Sequence, residues 1–407
     1  VSSPTPTTHA EILTSKGKAG TGKEFFVVAT PSTAGSSNFT AGVMATEDNT
    51  VVTTTWNAPV TFIGGAPTTT TNTFTLNKGE SFVYAGLGNA NINNFIGAKI
   101  VASKPIVLTN GNVNGNFGAS TGGGSDIILD QSVPVERLGS TFAMVRSRSS
   151  SADLEGGIIV ATENNTQVYL NGSGTSVATL NQGQMYRISG SDYAAQGTSG
   201  HYNMLVTTSK NVYLYQLVSI LNQNETGGFN YIPPLNCFLP RKIDELPKVD
   251  EMPTGPGGAS VVPMNTQNIK LNIITEAGAT VTYSVDGGPA TTPTAAQGPY
   301  PLNGSTAWVT YGLENMSGTV TIQSNKAVTA GINGGYNTSG YGGYFAGFSS
   351  VPVIAKQTGE CIPGIILEVD DSYDTYQWFL NNAPIAGATS HTITPTVAGN
   401  YTVRVTM

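Results

Sequence analysis

Charged residues are scarce in this sequence, since Asp, Glu, Lys and Arg make up only 11% of its 407 residues. Helical proteins carry many Glu, Lys and Leu residues, so this scarcity argues against a helical fold. The Lys and Arg residues form no block, and the formal net charge is −7. Nucleic acid binding requires a basic patch, and we therefore expect no nucleic acid partner.

Long hydrophobic runs are also missing. No apolar run reaches the roughly 18 residues that a membrane-spanning helix needs, so we expect no membrane span in this chain. The sequence begins at Val1 with neither an initiator Met nor a signal peptide. We expect it to begin after processing or inside a longer protein.

Cysteine and histidine are rare. Cys237 and Cys361 lack CxxC spacing and cannot form a metal site by themselves; they could pair with each other or with partners elsewhere, and both readings stay open. His9, His201 and His391 lie far apart, and no GxSxG-type elbow accompanies them. We therefore predict no enzyme activity, no cofactor and no metal site.

Glycine, threonine, serine and asparagine are abundant instead, with 49 Gly alone, which is typical of short strands joined by many turns. Within this background one stretch recurs at intervals of about 115 residues, an internal repeat that points to a duplicated structural unit. Its three copies are ATEDNTVV (45–52), ATENNTQV (161–168) and ITEAGATV (274–281).

Two further motifs follow each copy in the same order. The first is a Leu-Asn turn, at 76–79, 180–183 and 302–304. The second is a lysine turn, which contains Lys104, Lys210 and Lys326. Repetition favours a role for these lysines in turn formation or strand-edge protection over ligand binding. Three motifs in one order, three times over, predict a triplicated module.

Apolar and polar residues largely alternate on both sides of these motifs. In the first module we predict a strand over 24–30, and hairpins over 43–55, 73–85 and 98–110. Asp48 and Asn49 tolerate the left-handed backbone of a tight turn. A module of about 110 residues suits a β-sandwich, and the alternative is two four-stranded propeller blades per module, six blades in all.

The predicted fold class is therefore all-β, with three tandem homologous antiparallel modules and a further β-sandwich at the C-terminal end. The predicted divisions are a flexible or edge-added leader (1–22), module 1 (23–138), module 2 (139–235), a Pro-rich connector that packs across a module (236–256), module 3 (257–356) and the C-terminal domain (361–407).

The C-terminal segment has an immunoglobulin-like pattern. Trp378 lies in a strand where such a sandwich buries its tryptophan, and Tyr401 stands in a sequence typical of a tyrosine corner. Val403 occupies the place of the second core cysteine, so the core disulfide is missing. The domain is short, and we expect that it is truncated or that the natural protein continues.

Two groups of carboxylates are candidate sites. Asp126 and Asp130 lie on one face of a strand, as glycosidase carboxylates do, but at a junction between modules such groups more often accept backbone N–H bonds. We favour that structural interpretation. Asp370, Asp371 and Asp374 offer oxygen ligands for calcium without the spacing of an EF-hand loop, which favours a solvated turn.

Three Gly- and Asn-rich segments follow the lysine turns, at 110–125, 221–231 and 333–348. Lone aromatics among small polar residues are typical of binding loops. The alternative is that these aromatics fold inward and seal the seams between modules. The predicted ligand-binding residues are the anchors Phe117, Phe229, Tyr336, Tyr341 and Tyr344, and the polar contacts Asn112, Asn224 and Asn337.

The motif set ATEDNTVV, LNKGES, GAKIVASKPIVLTNGN, DQSVPVERLG and PPLNCFLPRKIDELP resembles the IgGFc-binding-protein N-terminal domain family over about residues 24–355. The tail resembles the Ig-like repeats that follow in bacterial members, which are secreted multidomain proteins of Bacteroidota with type IX sorting regions. The resemblance implies cell adhesion or binding at an extracellular or cell-surface location, with a glycan or protein partner and no catalytic residues. The alternative function is a structural stalk or filament subunit that self-associates through the same three segments.

Overall fold

The computed structural model describes residues 11–406 except 32–37, 66–69, 119–124, 148, 150–151, 198, 220–225, 237–238, 255–259, 264–268, 337–338, 346–353, 360–361 and 370–372. The chain divides into two units, Val1–Phe348 and Ser349–Met407. Nearly all of the regular structure is antiparallel β-sheet, which confirms the predicted fold class.

Module 1 is one seven-stranded sheet in the order β4-β3-β6-β2-β5, with β1 and β7 also paired to β6. A 3-10 turn (Gly17–Gly20) precedes it, a short helix α1 (Asn89–Phe95) follows β5, and another 3-10 turn (Val135–Arg137) ends it. The strands are β1 (Thr21–Phe26), β2 (Asn38–Ala45), β3 (Thr50–Thr55), β4 (Thr71–Leu76), β5 (Ser81–Leu87), β6 (Lys99–Gly115) and β7 (Asp126–Gln131).

Module 2 repeats this plan in an eight-stranded sheet in the order β11-β10-β14-β9-β12, with β8, β13 and β15 paired to β14. Its 3-10 turns are Ala152–Leu154 and Gly190–Asp192. The strands are β8 (Gly139–Val145), β9 (Gly156–Ala161), β10 (Thr166–Leu170), β11 (Ala178–Leu180), β12 (Met185–Ser189), β13 (Ala194–Ala195), β14 (Tyr202–Ser219) and β15 (Thr226–Tyr231).

Module 3 is divided into a three-stranded sheet, β16-β23-β20, and a five-stranded sheet, β21-β22-β19-β24-β25, and the two-stranded ribbon β17-β18 precedes β19. The strands are β16 (Lys242–Leu246), β17 (Glu251–Thr254), β18 (Ser260–Pro263), β19 (Lys270–Glu276), β20 (Val281–Val285), β21 (Tyr300–Leu302), β22 (Ser305–Glu314), β23 (Val320–Ser324), β24 (Val328–Tyr336) and β25 (Ser339–Phe345).

A long central strand organises each of the first two modules. In module 1 the first part of β6 pairs with β3, as Val52 opposite Ala102 shows, and its second part pairs with β2, as Val43 opposite Leu108 shows. In module 3 the same chain path is split into β23 and β24, which lie in different sheets. In modules 1 and 2 the long strand therefore pairs along its length with strands on both sides of the repeated motif, and none of the described sheets in the three modules has the four strands of a propeller blade.

The predicted hairpins of module 1 are wrong in their pairing. Strand β2 pairs with β5 and β6, while β3 pairs with β4 and β6, so the turn at Asp48 joins two strands that are not partners. Strands β4 and β5 likewise have different partners, and the segment around Lys104 lies inside one 17-residue strand. The first of the three repeated motifs forms, in each module, a corner between two strands that follow each other in sequence without pairing to each other.

The corner has the same hydrogen bonds in all three modules. The threonine hydroxyl donates to the carbonyl that follows the lysine, and the lysine ammonium donates to the carbonyl two residues after the threonine. This agrees with the predicted role of the lysines in the turns. The Thr Oγ1 to O distances are 2.6 Å for Thr46–Pro105, 2.8 Å for Thr162–Asn211 and 2.7 Å for Thr275–Ala327; the Lys Nζ to O distances are 2.7 Å for Lys104–Asp48, 2.8 Å for Lys210–Asn164 and 2.7 Å for Lys326–Ala277.

Left-handed backbone closes the same corner. Asn49 and Asn165 have φ angles of 56° and 58°, and the third module has Gly278 at this place, with a φ of 72°. These are the residue types that adopt this conformation at low cost. The asparagine-rich sequence of the repeat is therefore a requirement of the turn.

The modules share their hydrophobic cores. The cluster centred on module 1 includes Tyr215 and Phe229 of module 2, and the cluster centred on module 2 includes Trp308 and Tyr344 of module 3. The range predicted as a connector contributes strand β16 to the sheet of module 3, and Ile243 in it is buried. The three modules therefore form one continuous body.

Residues 11–22 are held by burial and strand pairing, so of the two forms predicted for the leader 1–22, flexible or edge-added, the flexible one is wrong for this part. Glu11, Thr14 and Lys16 are buried, and Thr21–Phe26 forms β1 against β6. The sequence of this segment carries little apolar pattern because polar side chains anchor it.

The second unit contains two three-stranded antiparallel sheets, and Trp378 is fully buried with its Nε1 donating to Ser390 O at 2.8 Å. The Tyr401 hydroxyl donates to Val397 O at 3.0 Å, the bond of a tyrosine corner. The assignment of an immunoglobulin-like domain stays a prediction. The strands are β26 (Ala355–Thr358), β27 (Ile366–Glu368), β28 (Thr375–Leu380), β29 (Ala383–Pro384), β30 (Thr392–Ile393) and β31 (Tyr401–Thr406).

Candidate binding region at the module seams

The three Gly- and Asn-rich segments occupy equivalent hairpins, β6–β7, β14–β15 and β24–β25. Described residues beside the three tips lie close together. Phe117 N donates to Thr226 Oγ1 at 3.4 Å, and Gly340 N donates to Asp126 Oδ2 at 3.0 Å. The hairpins of the three modules therefore meet at one junction.

The described aromatic candidates are buried at this junction. Phe117 and Phe229 are fully buried, and the Phe229 ring stacks on Tyr215 with 4.4 Å between centroids. Tyr341 and Tyr344 are each 4% exposed. Their hydroxyls donate to Val249 O at 2.8 Å and to Gln216 Oε1 at 3.2 Å. These four side chains fill the seams, and their role as ligand contacts stays a prediction.

The polar candidate Asn112 is also fully buried. Its Oδ1 accepts from Thr30 N at 2.9 Å, and its Nδ2 donates to Thr30 O at 3.3 Å and to Asn38 O. Both ends of the amide therefore bind backbone. Asn224 and Asn337 lie outside the described residues, and of Tyr336 the structure describes only the backbone at the end of β24.

Three carboxylates bind the backbone N–H groups of β15 and β25 at the junction. Glu11 accepts from Phe229 N at 3.3 Å and from Gly342 N at 3.4 Å, while Asp130 accepts from Tyr231 N at 3.0 Å. Together with the Asp126 bond, these contacts support the interpretation of Asp126 and Asp130 as backbone acceptors. The carboxylates accept these backbone hydrogen bonds where the carbonyl groups of a neighbouring strand would otherwise accept them.

A buried ion pair completes the junction. Lys16 Nζ lies 3.1 Å from Asp130 Oδ2, and each side chain is 1% exposed. Burial lowers the pKa of Lys16, and Asp130 opposes this effect. Burial raises the pKa of Glu11 well above its ordinary value, and the nearby Asp126 and Asp130 raise it further. Charge at this junction is therefore costly unless it stays paired.

A polar cavity of about 330 Å³ opens at the seam between modules 2 and 3, and we call it the seam cavity. Module 2 contributes the turn before β14, and module 3 contributes the start of β19, the loop before β21 and the end of β22. The lining residues are Ser199, Gly200, His201, Lys270, Thr294, Ala296, Gln297, Tyr300, Gly312, Glu314 and Asn315.

His201 lines the seam cavity, and contacts with Thr310 and Tyr300 hold its ring in place. Its Nε2 lies 2.9 Å from Thr310 Oγ1, and its ring stacks on Tyr300 with 4.2 Å between centroids. Burial lowers the pKa of His201 to about 3, and Lys270 contributes to the lowering. The imidazole is therefore neutral at physiological pH.

The sequence does not predict the seam cavity because its residues belong to no repeated motif. Of the cavity residues, only His201, one of three histidines, is singled out by the sequence, and only as a possible catalytic residue. The cavity residues come from 199–201, 270, 294–300 and 312–315. No spacing rule brings such distant segments together before the module packing is known.

Three other predicted features can be compared with the structure in part. Among the described residues, no group of three or more His, Cys, Asp or Glu could hold a metal ion; Asp374 is described, whereas Asp370 and Asp371 lie outside. Cys237 and Cys361 also lie outside, so their pairing stays open. In the part of the chain that could be searched, no helix is long and apolar enough to cross a membrane.

Comparison with known proteins identifies one family. No curated protein matches the chain. The model of the family described as IgGFc binding protein matches residues 10–334, which include the seam cavity and the parts of the junction that belong to modules 1 and 2. This match confirms the resemblance seen in the repeated motifs. Because it covers well over half of the sequence, the chain belongs to the IgGFc-binding protein family.

Proposed function

We propose that this chain is a non-catalytic adhesion or binding region of a large bacterial cell-surface or secreted protein, which recognises glycan or protein ligands. The observation that carries the proposal is the family match over residues 10–334, because this is a binding family, which suggests an extracellular binding role. The resemblance of the motifs to bacterial members supports the assignment to a Bacteroidota-type surface protein.

The architecture is consistent with a rigid platform for recognition. Shared cores and the carboxylate junction hold the three modules in one arrangement. A ligand that meets a preformed surface loses less binding free energy to ordering the protein. Two places remain as candidate contacts: the tips that contain Asn224 and Asn337, and the seam cavity.

The first test is a glycan and mucin array, with a parallel screen of secreted host proteins, on the 407-residue chain. The test variant is the double substitution Asn224→Ala/Asn337→Ala, and the control is Asn93→Ala, at an exposed position of helix α1. We expect saturable binding that falls at least tenfold in the double variant and stays unchanged in the control.

Two results would contradict this proposal. One is binding of neither glycan nor protein by the folded chain; if that chain also self-associates through the tip asparagines, the function is that of a stalk or filament subunit. The other is binding that is equally strong in the double variant. That result would show that the tips are not the contact and that the ligand is recognised elsewhere on the body.

A further inference from the structure

We infer that the seam cavity binds an uncharged sugar residue or a similar polyhydroxylated group. This inference rests on the proposed function, since it names the class of ligand for one site of the binding region. The cavity volume of about 330 Å³ lies at the small end of the range of about 300–1,000 Å³ that is usual for ligand pockets. It suits one sugar residue.

The cavity exists only because two modules meet. Ser199, Gly200 and His201 come from module 2, and the other lining residues come from module 3. Polar contacts fix the seam beside it. Asn203 Nδ2 donates to Thr310 Oγ1 at 2.8 Å and to Pro301 O at 2.9 Å. Asn203 is fully buried, so these bonds hold the two walls in a fixed arrangement before any ligand arrives.

Hydroxyl and amide groups dominate the polar lining. Ser199, Thr294, Gln297 and Asn315 supply both donors and acceptors, which matches the sugar hydroxyl, a group that donates and accepts at once. The Gln297 Oε1 accepts from Thr294 N at 2.8 Å, and this bond fixes the Gln297 side chain on the wall.

The charge of the lining favours a neutral ligand. The wall has one cation, Lys270, and one anion, Glu314. Lys270 Nζ already donates to Arg146 O at 2.8 Å. His201 adds no charge, because its pKa is lowered to about 3. A strongly charged ligand would find no net countercharge here, whereas a polyol needs none.

One aromatic side chain is positioned as a wall of the cavity. The Tyr300 ring stacks on His201, and its hydroxyl donates to Ala296 O at 2.7 Å. A Cβ atom at Gly312 would lie 2.8 Å from His201 Nδ1, so glycine there lets the imidazole pack beneath the tyrosine. Tyrosine offers an apolar body with a polar tip, which suits a sugar because a sugar has both C–H faces and hydroxyls.

The test uses the full chain and proton NMR of its three histidines, of which His201 is identified by the loss of its signals in a His201→Gln variant. The probes are the methyl glycosides of glucose, galactose, mannose and N-acetylglucosamine, with sialic acid as a charged probe. The blocking variant is Ala296→Trp, which fills the cavity, and its control is Ala90→Trp, at an exposed position of helix α1. Glu314→Gln replaces one acceptor oxygen in the cavity wall with an amide NH2 group. Its control is Glu47→Gln, the same substitution at an exposed position in module 1.

We expect at least one neutral glycoside to shift the His201 signals saturably, with a Kd on the order of 1 mM, as is usual for so small a ligand. Ala296→Trp should weaken binding at least tenfold and Glu314→Gln severalfold, with both controls unchanged. The inference is overturned if no neutral glycoside shifts His201, if only sialic acid does, or if Ala296→Trp binds as well as the unmodified chain. Array binding without a His201 shift from any neutral glycoside would overturn the sugar site and leave the proposed function intact. A saturable His201 shift with neither glycan nor protein bound in the array and the screen would support the sugar site and contradict recognition through the tips.

Discussion

Glu155 is a fully buried carboxylate in module 2 with only local partners. It accepts from Ser147 N at 3.3 Å, from Ser149 N at 3.2 Å and from the Ser147 hydroxyl. Burial raises the pKa of Glu155 to about 7, although these bonds and Arg146 act in the opposite direction. The folded protein therefore holds the Glu155 proton more tightly than the unfolded chain does.

This group makes folding stability depend on pH. Because its folded pKa lies above the unfolded value, its contribution is fully present below about pH 4.5 and is lost as the pH rises to about 7. The lost contribution is about 3 kcal/mol. We expect Glu155→Gln to remove that part of the slope in urea unfolding measured from pH 4.5 to 8. Glu47→Gln, which is exposed, is the control. An unchanged slope in Glu155→Gln would refute the assignment.

The sequence predicts the conformation of a single residue where the residue type alone determines the backbone geometry. The left-handed turn at Asn49 follows from residue type alone. The aromatic residues were not predictable, because Phe229 and Tyr344 stand in Gly- and Asn-rich sequence that suits an exposed loop and a tight seam equally well. Their environment is set by residues of another module, and no local pattern reports it.

The corner that recurs in the three modules has an exposed and a buried half. Thr162 is 4% exposed and its hydroxyl donates to Asn211 O, whereas Lys210 is exposed by about a third at the surface and pairs with Glu163 at 3.5 Å. We expect Thr162→Val to cost about 1–2 kcal/mol of stability, because it removes a buried donor from a carbonyl. Lys210→Met should cost under about 1 kcal/mol, since exposed cation contacts contribute little.

Urea unfolding at pH 7 with both variants measures this difference. Thr46→Val in module 1 supplies the matched comparison, since its hydroxyl makes the equivalent bond to Pro105 O. If Lys210→Met proves as costly as Thr162→Val, the corner is held by its surface cation, and the expected order of the two losses is wrong.

The strands themselves were predictable, but their partners were not. Alternation of apolar and polar residues marks a strand and its buried face, and it says nothing of which strand lies alongside. The hairpin expected over 73–85 failed for this reason: β4 and β5 are neighbours in sequence, yet β4 pairs with β3 and β5 pairs with β2. The long strand β6 connects the two pairs, because it pairs with both β2 and β3.

A segment near the beginning of the chain contacts all three modules. Glu11 contacts modules 2 and 3, while Thr14 and Lys16 contact Asp130 of module 1. The sequence predicts the triplication, because repeats survive in the residues that form the corners. The sequence does not predict that residues 11–16 contact the modules. A single polar segment has no periodic hydrophobic pattern, and its hydrogen-bond partners lie more than 100 residues away.

The ion pair between Lys16 and Asp130 permits a test of these contacts. Lys16→Met or Asp130→Asn alone should each cost about 3–5 kcal/mol, because either one leaves a buried charge without the opposite charge beside it. The double variant should cost clearly less than the two single losses added together, since it removes both charges. Urea unfolding of the four proteins gives this coupling directly.

Hydrogen exchange then shows how far the effect extends. Tyr231 N donates to the same carboxylate as Lys16, so Asp130→Asn should speed amide exchange in β15 of module 2 as well as in residues 11–16. Exchange in β31 of the second unit provides the internal reference. Faster exchange confined to residues 11–16 would mean that the segment only rests on a body assembled without it. Faster exchange in β15 would instead show that the buried carboxylate couples the first module to the second.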